Sequence, residues 1–364
     1  MYFLIVAVIV FTAGADFVGQ RQLEPIYPSY ALSKMGRLSD YLPSLRDSDG
    51  DSDLYFFNGR EPGGTLFIIG GTHPNEPAGF MSAVILVENL QVQKGRVIVL
   101  PRGNASGFTA TEPQEAFPGT FQIVNRAGKE RSFRVGSRFS NILEGWPDPI
   151  IYRHYPSGQV LSGAETRNLN RAYPGRADGT LTERMAYAIT EVVRKESVDL
   201  AIDLHEAAPE YPVINAIVAH ERAMDIAALA TVDLQLEGLE FNLEPSPTNF
   251  HGLIHREMGD NTGARVLLFE SAGALQGRLR GATNAELILK SVDPFYIKAG
   301  ELGKLRVPFP KEGIPLEIRT GRHLAGIAAV CRTMGDFEPE RAIAYSNIPS
   351  YAELQEHGIG FYLQ

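Results

Sequence analysis

The sequence predicts an α/β fold, a mixed, mostly parallel sheet with helices on both faces. The first observation is a strand, helix, strand unit: the apolar runs Thr65 to Gly70 and Arg96 to Leu100 flank a helical pattern at Pro77 to Leu90. The second is that the same alternation recurs as far as Phe269. Helices that connect parallel strands cover the faces of the sheet, so this alternation is typical of a sheet buried on both sides.

The later elements follow in order. Helical periodicity marks Leu181 to Arg194, Glu221 to Gln235 and a segment near Ala282 to Gly300, whereas Val198 to Leu204, Val213 to Val218 and Arg265 to Phe269 are strand-like. Between residues 102 and 166, glycine, proline and short aromatic segments predict long loops or a small β excursion. Long insertions of this kind often carry function in an α/β fold.

The two chain ends are predicted to lie outside the α/β unit of residues 61–300. Residues 1–15 are apolar, too short for a comfortable membrane span, and end in Ala13-Gly14-Ala15, the pattern of a signal-peptide cleavage site. This predicts a periplasmic or secreted protein, with an uncleaved membrane anchor as the alternative. Residues 16–60 are predicted to be an irregular lead-in, and residues 301–364 a small extension with β-like pieces such as Ile314 to Ile318.

Composition excludes several classes of protein. With 364 residues, of which 44% are hydrophobic and 21% charged, the chain has the composition of a globular protein with a large buried core. Cys331 is the single cysteine, which excludes an internal disulfide. The formal charge of -9 and the lack of Lys and Arg clusters argue against a nucleic-acid partner, and small molecules or peptides are expected instead.

Residue types that bind metals follow two of the strand-like runs. His73 and Glu76 lie in GGTHPNEPAG, directly after one run and at the start of a helix, and His205 follows another run. Ligands of open α/β sheets bind at the carboxyl ends of strands, so the three side chains are expected to share one edge. A His, Glu, His set is that of carboxypeptidase A, which leaves a fourth zinc position for water. Taken singly, Glu76 also fits a helix cap and His205 a hydrogen-bonded core histidine.

Two further motifs predict a general base and an anion-binding pair. Glu270 ends the strand-like run in RVLLFESAG, where a carboxylate beside a metal can take a proton from the attacking water and pass it to the leaving nitrogen. A cap on the next helix is the alternative. In RNLNRAYPG, Asn170 and Arg171 suit a substrate with a free carboxylate, because arginine binds carboxylates bidentately. A salt-bridged surface arginine is the alternative there.

In this order, GGTHPNE, NLNRAYPG, DLHEA and FESAG closely resemble the zinc carboxypeptidase superfamily, especially its succinylglutamate desuccinylase and aspartoacylase branch. The resemblance implies one zinc ion at His73, Glu76 and His205, the general base at Glu270, and carboxylate recognition by the Asn170 and Arg171 pair. It also implies a mixed sheet of about eight strands flanked by helices, with residues 61–300 as the catalytic domain. Another divalent metal in the same ligand set is the alternative to zinc.

Some positions depart from the family pattern. Asn168 stands where the family often has Asp, which alters hydrogen bonding around the site without removing a ligand. Pro74 stands where Gly is frequent, which stiffens the loop and leaves His73 free to bind a metal. An arginine that polarises the scissile carbonyl usually lies shortly before the Leu-Asn-Arg motif. Arg153 is the predicted match, and Arg167 is the alternative.

Residues near the motifs are assigned in the same way. Arg278 is predicted to bind a second carboxylate of the substrate, a role that Arg280 could also serve. The alternative for both arginines is to cover acidic surface. His251 and His255 are predicted to be solvated loop histidines, with substrate contact as the alternative. Trp146 is predicted to pack in the core rather than to line a pocket.

The sequence therefore predicts a zinc-dependent hydrolase that cleaves an amide bond in a small substrate with a free carboxylate, such as an N-acyl amino acid. One alternative is a zinc carboxypeptidase that trims peptides or cell-wall fragments, which export would favour. The other is a non-catalytic binding protein on the same fold. The presence of Glu270 together with all three metal ligands favours the enzyme.

Overall fold

The computed structural model describes residues 1–19, 22–110 and 119–364, and a nine-stranded sheet lies at its centre. The strands are β1 (Lys34–Arg37), β2 (Asp53–Asn58), β3 (Glu61–Ile69), β4 (Gln91–Leu100), β5 (Thr120–Val124), β6 (Glu130–Arg134), β7 (Ile151–Arg153), β8 (Val160–Ser162), β9 (Leu200–Ala207), β10 (Ala216–Ala219), β11 (Asn242–Pro245), β12 (Arg265–Ala272) and β13 (Ala344–Ser346). The α-helices are α1 (Tyr2–Gly19), α2 (Pro77–Asn89), α3 (Ala105–Phe108), α4 (Leu181–Lys195), α5 (Met224–Leu236), α6 (Ile254–Asn261), α7 (Ala285–Lys290), α8 (Pro294–Glu301), α9 (Leu316–Phe337) and α10 (Tyr351–His357).

The sheet is mixed, with its parallel strands in the middle. Its strands follow the order β1-β2-β4-β3-β9-β12-β10-β11, and β13 pairs with β4 outside this path. Strands β4, β3, β9 and β12 are mutually parallel neighbours, whereas β2 and β13 pair antiparallel with β4, and β10 pairs antiparallel with β12. Helices pack on both faces, and the predicted fold class is confirmed.

Side chains of β12 alternate between two hydrophobic cores. Leu267 and Phe269 pack into the core formed with α2, α5 and α9. Val266 and Leu268 pack into the core formed with α4 and α6. Because successive side chains of a strand point to opposite faces, Glu270 continues the second series and lies on the α4 and α6 side.

Strand β9 repeats this alternation. Ile202 and Leu204 belong to the core with α2 and α9, and Ala201 belongs to the opposite one, so His205 lies on the same face as Glu270. The two residues are register partners across the parallel pair β9 and β12. The sheet itself therefore places the predicted base beside a predicted metal ligand.

Helix α2 approaches strand β9 closely because Gly79 has no side chain. A Cβ atom at this position would lie 2.2 Å from the carbonyl oxygen of Leu204. Glu76 is the N-cap of α2, so the close approach fixes this carboxylate against the strand that carries His205.

We expect the Gly79→Ala substitution to lower the free energy of unfolding by about 1–3 kcal/mol, the usual effect of overpacking. The better helix propensity of alanine contributes at most about 1 kcal/mol in the other direction. The clash therefore determines the sign of the change in unfolding free energy. Chemical denaturation followed by circular dichroism measures the change. At Gly263 a Cβ atom would meet nothing within 4 Å, so the Gly263→Ala control should stay within about 0.5 kcal/mol of the parent. Equal stability of the two variants would contradict this packing.

Three predicted elements differ from the structure. Part of the lead-in is regular, since Asp53–Asn58 forms a strand that pairs with β4. Its four buried residues, Leu-Tyr-Phe-Phe, follow an acidic stretch that made the segment look irregular in the sequence. Ile314 to Ile318 alternates like a strand, but Leu316–Phe337 is a long helix, because its buried face packs against α2 and α5. The helix expected over residues 282–300 is two short helices, and Asp293 caps the second one.

The predicted β excursion is confirmed. Strands β5 and β6 form one hairpin and β7 and β8 another, both within residues 102–166. Helix α1 contains the residues of the predicted leader, and most of its described side chains are exposed. In the part of the chain that the structure describes, no helix combines the length and apolar character needed to cross a membrane.

Candidate metal centre

Three predicted ligands converge at the carboxyl ends of the central strands. His73 lies in the turn after β3, Glu76 caps α2 and His205 lies in β9. One potential ligand atom from each residue lies within 4.8 Å of those of the other two. All three residues are buried, with at most 2% of each exposed. The structure therefore brings together the set that the sequence predicts.

The imidazole rings of His73 and His205 both face the Glu76 carboxylate with their Nδ1 atoms. His73 Nδ1 lies 2.9 Å from Glu76 Oε1, and His205 Nδ1 lies 2.8 Å from Glu76 Oε2. The opposite ring atoms have their own partners: His73 Nε2 is 3.0 Å from Asn168 Oδ1, and His205 Nε2 is 2.6 Å from Asp203 Oδ2. Such outer contacts fix the orientation of histidines that bind metals. Asn168 still offers an oxygen atom where the family often has aspartate.

The donor set fits a divalent cation such as zinc. Two imidazole nitrogens and one carboxylate are ligands that zinc accepts, and they leave a position for water or substrate. Beside them, the Oε2 atom of Glu270 is buried and has no hydrogen-bond partner among the described residues. An unpaired buried carboxylate oxygen is costly unless it serves a ligand or a reacting water.

Burial and neighbouring charges shift the pKa values of the carboxylates and imidazoles in the site. Burial raises the pKa of Glu270 to about 8, and the neighbouring Glu76 carboxylate adds to the effect. Burial, helped by the Arg138 guanidinium, lowers the pKa of His73 to about 4. At neutral pH the His73 ring is therefore neutral, which is the form that binds a metal. Burial opposes the charge on His205, but the Asp203 and Glu76 carboxylates raise its pKa well above the usual range, so a metal would displace a proton there.

A cavity of about 430 Å³ opens beside these residues, a size typical of small-molecule sites. Its polar lining beyond the three predicted ligands includes Arg138, Asn170, Arg171, Glu244, His255, Glu270 and Gln276. Its apolar lining includes Val213, Val218, Leu253 and Leu268. A small polar substrate with an apolar portion would match this lining.

Arg171 forms a half-buried cationic end of the cavity. Burial, with the nearby Arg138 guanidinium, lowers the pKa of Arg171 to about 10, so the side chain remains charged at neutral pH. Glu165 lies 3.8 Å from its Nε atom, and Nη1 donates to the Asn170 carbonyl at 2.6 Å. The side-chain oxygen of Asn170 accepts from the Ile254 amide at 2.8 Å, while its amide nitrogen makes no hydrogen bond with the described residues. Both side chains therefore retain donors for an anion.

The family model of the succinylglutamate desuccinylase/aspartoacylase catalytic domain matches residues 62–275, more than half of the 364-residue chain. The chain belongs to this family. No curated protein matches it.

Several solved structures are similar to this desuccinylase/aspartoacylase family member. The product-bound ectoine utilization protein EutE (DoeB) from Ruegeria pomeroyi is 21% identical, with a TM-score of 0.41 over 70% of this chain and 66% of that one. The tripeptide-bound cell shape determinant Csd4 from Helicobacter pylori is 12% identical, with a TM-score of 0.48 over 85% and 59%. A metallo-carboxypeptidase from Burkholderia cenocepacia is 13% identical, with a TM-score of 0.48 over 89% and 69%. The chain thus spans less than two thirds of the length of Csd4 and EutE.

Of the arginines that precede the Leu-Asn-Arg motif of this family member, Arg138 lines the cavity and the predicted Arg153 does not. Arg138 lies 3.0 Å from Glu76 Oε1. Arg153 is exposed on β7 and lies outside the cavity lining, and the alternative, Arg167, is bound to Asp148 at 2.7 Å. Sequence reasoning missed Arg138 because it lies in GSRFS, a stretch without periodicity, and the order of arginines before the motif was its only signal.

Other predicted residues also lie elsewhere. Arg278 is exposed and its guanidinium is not part of the cavity; its backbone amide donates to Glu210. His255 is buried and lines the cavity, contrary to the prediction of a solvated loop histidine, because helix α6 turns it inward. Trp146 is 68% exposed and does not pack in the core, since it lies in an irregular loop outside the strands and helices.

Two nearby residues lie outside the cavity lining. His251 is half-buried, and its Nδ1 atom lies 2.7 Å from Glu257. Arg280 donates to the carbonyl of Gly281 and to Thr283. Their contacts are with the protein itself.

Proposed function

We propose that the protein is a zinc-dependent hydrolase that cleaves the amide bond of a small substrate with a free carboxylate, such as an N-acyl amino acid. One observation supports this most: a single cavity contains the buried His73, Glu76 and His205 set, the charged Arg171, and Glu270, whose Oε2 atom has no partner among the described residues. A general base, a cation site and an anion-binding group are the parts that such a reaction needs.

His73, Glu76 and His205 would hold the zinc ion. When bound, zinc polarises a carbonyl oxygen and makes water more acidic. Glu270 takes the proton of the attacking water on its unpaired Oε2 atom and returns it to the leaving nitrogen. Its raised pKa suits both halves of this task, because a base that has taken the proton must also release it.

Arg138 and the pair at 170 and 171 act on different parts of the substrate. Arg138 lines the cavity beside Glu76 and would donate to the carbonyl oxygen, where negative charge develops during attack. Arg171 and Asn170 would bind the free carboxylate, with the guanidinium supplying charge and the amide a further donor. This division keeps one cation for the reacting bond and one for recognition.

The second candidate is a carboxypeptidase that removes the terminal residue of a peptide or cell-wall fragment. The leader predicted at residues 1–15 favours it, because export would bring the enzyme to such substrates. The same side chains serve either reaction, since both substrates carry a carboxylate beside the scissile amide.

Metal content and hydrolysis of a substrate panel test this function together. Elemental analysis of the parent should find about one zinc per chain, and the His73→Ala variant should lose both the metal and hydrolysis. The His251→Ala variant, which removes a histidine outside the cavity, should keep both. Cleavage of N-acyl amino acids or of short peptides decides between the two enzymes. A parent that binds no divalent metal after reconstitution would leave only the non-catalytic binding protein.

We expect Arg171→Ala to lower kcat/KM by about 10- to 100-fold, mainly through KM, because a charged hydrogen bond to the substrate contributes about 1.5–3 kcal/mol. The measurement compares each substrate with an analogue whose carboxylate is replaced by a neutral amide. The parent and the variant should hydrolyse the neutral analogue at similar rates. Arg278→Ala is the control and should behave like the parent, since Arg278 lies outside the cavity. An equal loss on both substrates would contradict carboxylate binding by Arg171.

A further inference from the structure

Helix α9 contacts the metal-binding strand from the face opposite the cavity. The family match ends at residue 275, so this helix, Leu316–Phe337, lies beyond it. Two of its side chains, Arg319 and His323, are one helical turn apart and therefore lie on the same face. They contact the consecutive strand residues Glu206 and His205.

Arg319 is fully buried and held by three acceptors. Its Nη1 atom lies 2.6 Å from Glu206 Oε1, and its other nitrogens donate to the carbonyls of Ile314 and Ile288. The second oxygen of Glu206 accepts from the Ala78 amide at 2.9 Å, in the first turn of α2. An ion pair thus connects α9 to the start of the helix that Glu76 caps.

Glu206 also contacts Glu76 through its backbone. Its amide donates to Glu76 Oε2 at 3.1 Å, the same oxygen that lies 2.8 Å from His205 Nδ1. A shift of Glu206 would therefore move both the helix start and a hydrogen bond to a predicted metal ligand.

His323 supports the adjacent residue. Its Nε2 atom donates to the His205 carbonyl at 2.9 Å, and its Nδ1 atom lies 3.4 Å from the Ser82 hydroxyl. The backbone of His205 is thereby fixed from behind, while its side chain lies on the cavity side.

We propose that Arg319 and His323 are positioning residues of the metal centre. Arg319 fixes Glu206 and the start of α2, and His323 fixes the backbone of His205, so that His73, Glu76 and His205 stay close enough to share one ion. The inference rests on the zinc site of the proposed function. A purely structural role would stabilise the fold without changing metal affinity.

Zinc affinity of the metal-depleted full chain, measured by competition with a chromogenic chelator, separates the two roles. His323→Leu should raise the zinc Kd about 10- to 100-fold, the usual cost of losing an outer-shell partner. His323→Gln keeps a side-chain donor for the same carbonyl and should recover most of the lost affinity. Met334→Ala is the control, since Met334 is buried three turns further along α9. It should lower the unfolding midpoint and leave the zinc Kd unchanged.

Arg319 is tested in a pair of substitutions. Arg319→Met alone would leave the buried Glu206 carboxylate without its cation, so it is combined with Glu206→Gln. The double variant removes both charges of the ion pair. The double variant should bind zinc about 10-fold or more weakly than the parent.

Three results would overturn the positioning role. If the parent binds zinc and the His323 and Arg319 variants bind it equally tightly, only the positioning role fails and the proposed hydrolase stands. If Met334→Ala weakens zinc binding as much as His323→Leu, general loosening of the fold explains the effect. A parent that binds no zinc overturns both this inference and the proposed function.

Discussion

Replacing Glu270 with glutamine should lower kcat by at least about 100-fold and leave the zinc content unchanged. Glutamine has nearly the same shape as glutamate but cannot accept the proton of the attacking water. In the part of the chain that the structure describes, the buried Oε2 atom of Glu270 has no hydrogen-bond partner, so no such bond of that oxygen is lost with the charge. Steady-state kinetics on the panel substrate that is cleaved fastest, with elemental analysis of the same samples, measures both quantities.

The control for Glu270 is another carboxylate of the same cavity. Glu244 lines the cavity from strand β11 but lies outside the cluster of predicted metal ligands. Glu244→Gln removes the same charge from the same cavity and should change kcat by no more than a few-fold. Hydrolysis by Glu270→Gln at the parental rate would show that another group takes the proton, and the assignment of the base would then be wrong.

The convergence of the candidate metal ligands could be predicted from the sequence because each of them is marked by a local pattern. His73, His205 and Glu270 each follow or end an apolar run, and runs of that kind form the central parallel strands. Parallel strands end at one edge of a sheet, so residues far apart in sequence converge without any further information. The period of two along each strand then brings His205 and Glu270 to one face.

The parts that sequence reasoning missed depend on contacts that no local pattern encodes. Arg138 and Arg153 both lie in residues 102–166, where the sequence shows no helix or strand periodicity. Only the folded chain brings Arg138 to Glu76. His255 reads as a loop residue among glycines, yet a short helix buries it in the cavity. Arg319 lies in a helix that begins within the alternating Ile-Pro-Leu-Glu-Ile pattern of residues 314–318, and its ion pair to β9 spans more than a hundred residues. Long-range pairing of this kind is a property of the packed fold.

The choice between the two arginines leads to the second large effect. We expect Arg138→Ala to lower kcat by about 100- to 1,000-fold, the usual cost of removing a donor to an oxygen that becomes negative in the transition state. Arg153→Ala is the matched control and should keep the parental rate, because its side chain is exposed on β7. KM should change much less than kcat in Arg138→Ala, since the charge on the carbonyl oxygen is largest in the transition state.

Arg138 also contacts Glu76, so its effect must be separated from loss of the metal. Zinc content measured on the same samples makes this separation: a variant that retains zinc and loses kcat has lost stabilisation of the reacting carbonyl, whereas a variant that loses both has lost the ion pair that supports Glu76. Arg138→Lys keeps a positive charge without the planar fork of donors, so it should retain zinc and recover only part of the rate. If Arg153→Ala were slow and Arg138→Ala fast, the sequence-based assignment of Arg153 as the carbonyl-polarising arginine would be correct. The loop bearing Arg153 would then have to close over the cavity when substrate binds.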